Sequence, residues 1–259
     1  MIQSNSSNTL EDRIENWTGK TILITTPHPD DDTFSSAGTM ALLAKNNNDI
    51  HIVVLTSGNA GSNDPDMTRD RLASIRKSEE IEACRILGIP TENVNWLGYD
   101  DGMLEYADPR KLTKQVVREI RRIQPDAVFS PDPGLSYQQW HKSDHRSTAI
   151  ITADAIRAAA WRLYFQELEE EGLKHWIVST GFFYFSTQPN YTVDITDVAE
   201  LKARAVAAHI SQVGGMEDKY DPANIIELRE KIVQKLLKTK YSPKNENNRV
   251  VEEFRRWER

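Results

Sequence analysis

Short apolar runs alternate with amphipathic stretches through the first two thirds of this chain, and that alternation limits its fold more than any other feature. Lys20 to Thr26 (KTILITT), Ile50 to Thr56 (IHIVVLT), Val94 to Leu97 and Ala127 to Ser130 are the runs. They are too short for buried helices and read as strands covered on both faces. The stretches between them carry helix signals. Phe34 to Lys45 is apolar at helical spacing. Arg69 to Leu87 stops at Gly88, a good C-cap residue. Asp108-Pro109 supplies an N-cap and a first-turn proline for a helix running to about Ile123.

A long helix is expected from about Arg146 to Glu170. Trp176 to Ser179 and Phe182 to Phe185 read as late strands. Further helices are expected at about Val198 to Ser211 and Pro222 to Lys238. This order predicts an α/β fold: a mostly parallel sheet with helices on both faces and extra C-terminal strands and helices. With no internal repeat and no low-complexity linker, residues 1–259 read as a single domain. Residues 1–18 read as an N-terminal arm, frayed or forming a short helix, and residues 242–259 as a C-terminal tail, polar from Ser242 to Asn248.

Composition narrows the function classes. The chain has 259 residues and a formal charge of −7, which disfavours nucleic acid as a partner. No window is apolar enough for a transmembrane segment. Met1 to Trp17 is polar, unlike a signal peptide. The single cysteine, Cys84, sits in the apolar pattern Ile81, Cys84, Leu87 and reads as core. One cysteine can build neither an internal disulfide nor a thiolate zinc cage. A cytoplasmic protein is the expectation. No heptad or large apolar stripe fixes the oligomeric state, so a homo-oligomer stays open.

In a parallel sheet, reactive groups gather at the carboxyl ends of the strands. Two clusters fall there. Pro27-His28-Pro29-Asp30-Asp31-Asp32 follows the first strand and crowds three carboxylates beside an imidazole. Like charges so close are costly without a cation, although an acidic helix start would also account for them. Trp140-His141-Lys142-Ser143-Asp144-His145 follows the fourth strand, where a capped helix start is the plainer explanation. Together the clusters offer His, Asp and His, a three-ligand set that suits a catalytic zinc or Fe(II).

The first cluster resembles the Ala-His-Pro-Asp-Asp signature of the LmbE-like, or PIG-L, deacetylases. The resemblance continues in order through Arg76-Lys77-Ser78-Glu79, Leu87-Gly88, Asp101-Gly102, Asp144-His145-Arg146, Asp194-Ile195-Thr196, Lys202, His209-x-Ser211-Gln212 and Glu253-Phe254. It implies a Rossmann-like fold and a metal-dependent hydrolase that removes acetyl from an N-acetylglucosamine-type group on a small conjugate. Carried across residue by residue, His28, Asp31 and His145 match metal ligands for Zn2+, with Fe2+ as the alternative. Asp30 matches the general base and Asp144 a supporting carboxylate. Arg76 and Asp101 match positions at the substrate pocket.

One position departs from the family pattern. Where it carries a histidine three before the last ligand, this chain has Lys142, and His141 lies one residue earlier. Either His141 or Lys142 would then stabilise the oxyanion, Lys142 as a point charge of different reach. The same departure leaves open a non-catalytic sugar-binding protein, and the shared metal site leaves open a deacylase of a non-sugar amide.

Other residues carry plainer expectations. His51 and His175 read as structural or exposed, and His209 as either packing or pocket. The loop from Ser57 to Gly61 could cradle a polar ligand. Tyr137 and Trp140 would anchor their loop or stack on a sugar. Neither Gly-x-Gly-x-x-Gly nor Gly-x-Ser-x-Gly occurs at the required place, which argues against dinucleotide and serine-hydrolase chemistry.

Overall fold

In the computed structural model, which describes residues 13–134, 142–213, 220–242 and 249–259, alternate strand side chains enter two separate cores. Strand β1 (Thr21–Thr26) sends Ile22 and Ile24 into one core and Leu23 into the other. Strand β2 (Asp49–Thr56) divides Ile50, Ile52 and Val54 from Val53 and Leu55 in the same way. Two-sided burial is why these runs are apolar at nearly every position.

Strands β3 (Val94–Tyr99), β4 (Ala127–Pro131), β5 (Thr180–Tyr184), β6 (Tyr191–Asp194) and β7 (Val251–Glu258) complete a seven-stranded sheet in the order β3-β2-β1-β4-β5-β7-β6. Strands β1 to β5 pair in parallel, and β7 runs antiparallel between β5 and β6. Helices α1 (Asp31–Lys45), α2 (Arg69–Leu87), α6 (Ala199–Ala208) and α7 (Ile225–Thr239) cover one face. Helices α3 (Pro109–Ile123), α4 (Ser143–Ala159) and the short α5 (Gln166–Glu170) cover the other. The chain leaves β1 toward β2 on one side and enters β4 on the other. The carboxyl ends of β1 and β4 therefore flank a topological switch point, where open α/β sheets bind ligands.

Helix limits follow local chemistry where caps exist. Thr68 accepts from the Arg71 N–H at the start of α2, and Gly88 closes it at φ +78°. Asp108 accepts from the Arg110 and Lys111 N–H groups ahead of Pro109. Cys84 is buried in the core.

Elsewhere the expectations need correction. The helix read from Arg146 to Glu170 is two, because the chain breaks after Ala159 and Phe165 adopts φ +52°. Trp176 to Ser179 is not a strand, since β5 begins at Thr180, and Trp176 donates its indole N–H to the Pro125 carbonyl. The helix over Val198 to Ser211 stops at Ala208 and continues as a separate 3-10 turn. Within the C-terminal tail, β7 lies inside the sheet, a strand the sequence pattern does not predict. The described part of the N-terminal arm holds a short 3-10 helix, Ile14–Asn16, where Ile14 is buried and its N–H donates to the Tyr191 hydroxyl.

A buried ion pair fixes the tail to α1. The Glu252 carboxylate accepts from the Gly38 and Thr39 N–H groups at 2.8 and 2.7 Å and from the Thr39 hydroxyl. Lys202 bonds the same carboxylate and donates to the Phe34 carbonyl at 3.1 Å. Beside this pair, a Cβ on Gly38 would stand 2.6 to 2.8 Å from the Ile195 side chain. Gly38→Ala is expected to destabilise by ~1–3 kcal/mol, the usual cost of overpacking. Its denaturant midpoint should fall at unchanged slope; an unchanged midpoint would mean Ile195 yields freely.

Candidate active site

The turn after β1 places the first cluster. Thr56 donates from its hydroxyl and N–H to the Pro27 carbonyl, and the Thr26 hydroxyl donates to the His28 carbonyl. Asp30 then takes φ +132°, a conformation rare for any side chain, and α1 starts at Asp31. The bend separates two neighbouring carboxylates. Asp30 Oδ2 lies 2.9 Å from Arg76 Nη2. Asp31 Oδ2 lies 2.8 Å from His28 Nδ1 and 3.2 Å from His145 Nε2.

His145 reaches this point from the first turn of α4, across the β1–β4 boundary. His28, Asp31 and His145 are all buried, and one donor atom of each lies within 4.8 Å of the others. His28, Asp101 and Asp144 form a second such group. The two differ in what their carboxylates already hold. Asp144 accepts from the Gly102 and Leu104 N–H groups at 2.6 and 3.1 Å, and Asp101 from the Ala60 N–H at 3.3 Å. Both also meet His28 Nε2, at 3.2 and 3.1 Å respectively. That arrangement orients an imidazole whose other nitrogen faces Asp31, as carboxylates do behind metal-bound histidines. The set of His28, Asp31 and His145 fits a divalent cation better, with two imidazoles and one carboxylate converging from separate elements.

Electrostatics agree with a site built for positive charge. Burial works against charge on His28, yet hydrogen bonds to Asp101, Asp144 and Asp31 hold its pKa well above the ordinary imidazole value. Burial likewise opposes Asp31, but His145 and His28 hold it well below the carboxylate range. Burial pushes Asp30 up to about 6, against the pull of Arg76. Asp101, against its own burial, is drawn down to about 2 by His28.

Arg76 is 3% exposed. Its guanidinium donates to the Gly58 and Pro29 carbonyls at 2.9 and 2.8 Å besides meeting Asp30. Gly58 is required for that approach, because a Cβ there would stand 2.5 Å from the guanidinium. Lys142 is exposed at the start of α4, and its charge lowers the pKa of Asp30. His141, Tyr137 and Trp140 lie outside the described residues.

His51 is half-buried against Asp49 and His175 pairs with Glu169, both away from the site. His209 is fully buried, 3.2 Å from the Thr33 hydroxyl, and burial pushes its pKa down to about 3. Behind the site, Asp32 and Glu80 are buried together, and burial raises Asp32 to about 7 and Glu80 well above its ordinary value. Their proximity joins α1 to α2, a pairing that spacing within either segment does not signal.

Glu79 and Ser211, from two separate sequence motifs, meet where α2 packs against the 3-10 turn that follows α6. The Ser211 N–H and hydroxyl donate to the two Glu79 oxygens at 2.8 and 2.7 Å. Burial nonetheless pushes Glu79 up to about 7, against Ser211, Arg76 and Arg229. The protonated carboxyl is then the form the fold favours. Its stabilisation is complete below the ordinary value near 4.5 and is lost as pH rises through about 7. Glu79→Gln, neutral at every pH, should show a shallower fall in unfolding free energy across that window. An unchanged slope would remove Glu79 as its source.

Comparison with known proteins adds independent information. The family model described as GlcNAc-PI de-N-acetylase (PIG-L) matches residues 23–156. The chain is 34% identical over 193 residues to diacetylchitobiose deacetylase of Thermococcus kodakarensis, covering 74% of this chain and 70% of that protein. It is 33% identical over 138 residues to a probable N-acetyl-alpha-D-glucosaminyl L-malate deacetylase 2 of Bacillus anthracis, covering 52% and 58% respectively. The solved structure of N,N'-diacetylchitobiose deacetylase from Pyrococcus horikoshii superposes with a TM-score of 0.76 at 31% identity, covering 92% of this chain and 84% of that one. Among the described residues, no helix is long and apolar enough to cross a membrane.

Proposed function

The chain belongs to the PIG-L family of de-N-acetylases, and on that footing we propose that it hydrolyses the acetamide of an N-acetylglucosamine-type conjugate with a divalent cation, zinc or ferrous iron, held by His28, Asp31 and His145. The observation that carries this reading is the convergence of those three residues at the switch point, with the Asp30 carboxylate one residue away and turned onto Arg76. A cation bound there supplies a Lewis acid that polarises the acetyl carbonyl and acidifies water.

The chain's own residues do the rest. Asp30 takes a proton from the attacking water and returns it to the departing nitrogen, leaving acetate and a free amine. Its raised pKa puts it near the range where both transfers run at neutral pH. Arg76 fixes the Asp30 carboxylate. Asp144 and Asp101 fix His28. The positive charge of Lys142, or the neighbouring His141, stabilises the oxyanion, an effect worth ~3–4 kcal/mol for a well-placed donor. The buried thiol of Cys84 is compatible with a reducing cytoplasm as the compartment.

Acetate release from a panel of N-acetylglucosamine conjugates tests the reading. Release from at least one of them supports it. Hydrolysis confined to non-sugar N-acyl amides would replace it with a general deacylase. Conjugate binding with no acetate over hours would replace it with a non-catalytic sugar-binding protein.

A further inference from the structure

The chain leaves β5 through Phe185, a residue that none of the chemistry above uses. It holds φ +56°, a backbone conformation that bulky side chains rarely adopt. Such strain persists only where the surroundings over-determine it, and it clusters at functional sites. Both neighbours of Phe185 are fixed. Tyr184 is buried, its hydroxyl donates to the Thr25 carbonyl at 2.9 Å, and its own carbonyl accepts from the Asp132 N–H at 3.1 Å. The Ser186 hydroxyl donates to the Asp132 carboxylate. Asp132 is itself buried and held in place. Arg255 Nε of β7 lies 2.9 and 3.1 Å from its two oxygens, and the Gly134 N–H donates to it at 2.7 Å.

This clamp directs an aromatic ring at the candidate cation site. The Phe185 ring stacks on the His145 imidazole with centroids 5.9 Å apart and planes 19° apart, within the range where aromatic pairs attract. The Tyr184 ring meets Phe185 edge-on, with centroids 5.1 Å apart and planes 87° apart, so the stacked ring is packed in turn.

The two imidazoles of the site are steered differently. His28 is oriented through its nitrogens, by Asp31 on one and by Asp101 and Asp144 on the other. His145 extends from the first turn of α4, and its Nε2 must aim at Asp31 Oδ2, 3.2 Å away. A ring against one face opposes rotation of the imidazole and occupies neither nitrogen.

We infer that Phe185 is a positioning residue for His145: the strained exit of β5 sets its ring on the imidazole and so aims Nε2 at the point shared with Asp31. A ligand ordered beforehand binds more tightly, because less freedom is lost on binding. The consequence for a cation rests on the reading of His145 as a ligand. The ordering of its ring is a property of the metal-free chain as well.

The test compares the wild type with two variants. Phe185→Leu stays apolar and meets the same backbone constraint, but has no ring face. Phe185→Tyr restores the face, and Phe185 lines a cavity of about 490 Å3 that can admit the added hydroxyl. In metal-free protein, the nuclear magnetic resonance order parameter of the His145 ring should fall in Phe185→Leu and hold its wild-type value in Phe185→Tyr. His28, held through its nitrogens, should keep its order in all three proteins. The dissociation constant for cobalt(II), followed by its visible absorption, should rise about three- to tenfold in Phe185→Leu, the scale of one aromatic pair. It should return to the wild-type value in Phe185→Tyr. If Phe185→Leu does not fold, Phe185→Gly, which adopts a positive φ freely, carries the same comparison.

Unchanged His145 order without the ring would overturn the inference, as would a loss that Phe185→Tyr shares. Unchanged cobalt affinity in Phe185→Leu, where the wild type binds cobalt, would also overturn it. If the wild type binds no cobalt or zinc, yet His145 loses order in Phe185→Leu alone, the cation reading falls and the positioning role stands.

Discussion

Asp30→Asn is expected to leave a folded protein that keeps its cation and releases acetate ~10²–10⁴-fold more slowly, the scale for a positioned acid–base group. Asparagine is nearly isosteric with aspartate, and its amide oxygen can still accept from Arg76. The backbone at φ +132° is already set by the turn between Pro29 and α1. What the variant lacks is the capacity to take and return a proton. The loss should therefore fall on kcat, with the cation content of the purified protein unchanged. Acetate release near the wild-type rate would remove Asp30 as the base. Loss of the cation together with the rate would assign it to the ligand set instead.

Asp31→Ala should act the other way round. Its carboxylate is the group that both His28 Nδ1 and His145 Nε2 approach. Without it, two buried imidazoles face one another with no anion between them. Cation affinity should fall by ~10-fold or more, since even supporting residues behind a metal ligand cost that much. Acetate release should fall with it and recover in part at high added metal. The pair of neighbouring variants thus separates two roles carried by the same side-chain type. If Asp31→Ala stays loaded and active, the cation lies elsewhere, with the His28, Asp101 and Asp144 group the next place to look.

The strands and helices that position this site are legible in the sequence because local signals agree there. The KTILITT run, the Gly88 stop and the Asp108-Pro109 start each carry their own physical cause, and each matches an element. Strand β7 is illegible for the opposite reason. Its inward residues include Glu252, a buried carboxylate neutralised by Lys202 fifty positions away, so the alternation reads as surface polarity. Strand β6 has only four residues and offers too little pattern to read. The break after Ala159 has no Gly or Pro to announce it, so helical periodicity runs on past the true end.

The site divides along the same line. His28, Asp30, Asp31 and His145 stand out because chemistry is concentrated within short motifs at strand ends. The second contact of Arg76, onto Asp30 rather than outward, depends on the close approach of the loop after β2 at Gly58. Phe185 and the buried pair of Asp32 and Glu80 depend on long-range packing. None of these has a spacing that a single sequence could reveal.

The central claim is that one divalent cation, held by His28, Asp31 and His145, is required for deacetylation. It is tested most directly by measuring metal content and acetate release on one preparation before chelation, after chelation and after adding zinc or ferrous iron back. The account predicts about one cation per chain, because the three donors converge on a single point. It predicts that acetate release disappears with that cation and returns with it. Acetate release undiminished in fully metal-free protein would contradict it.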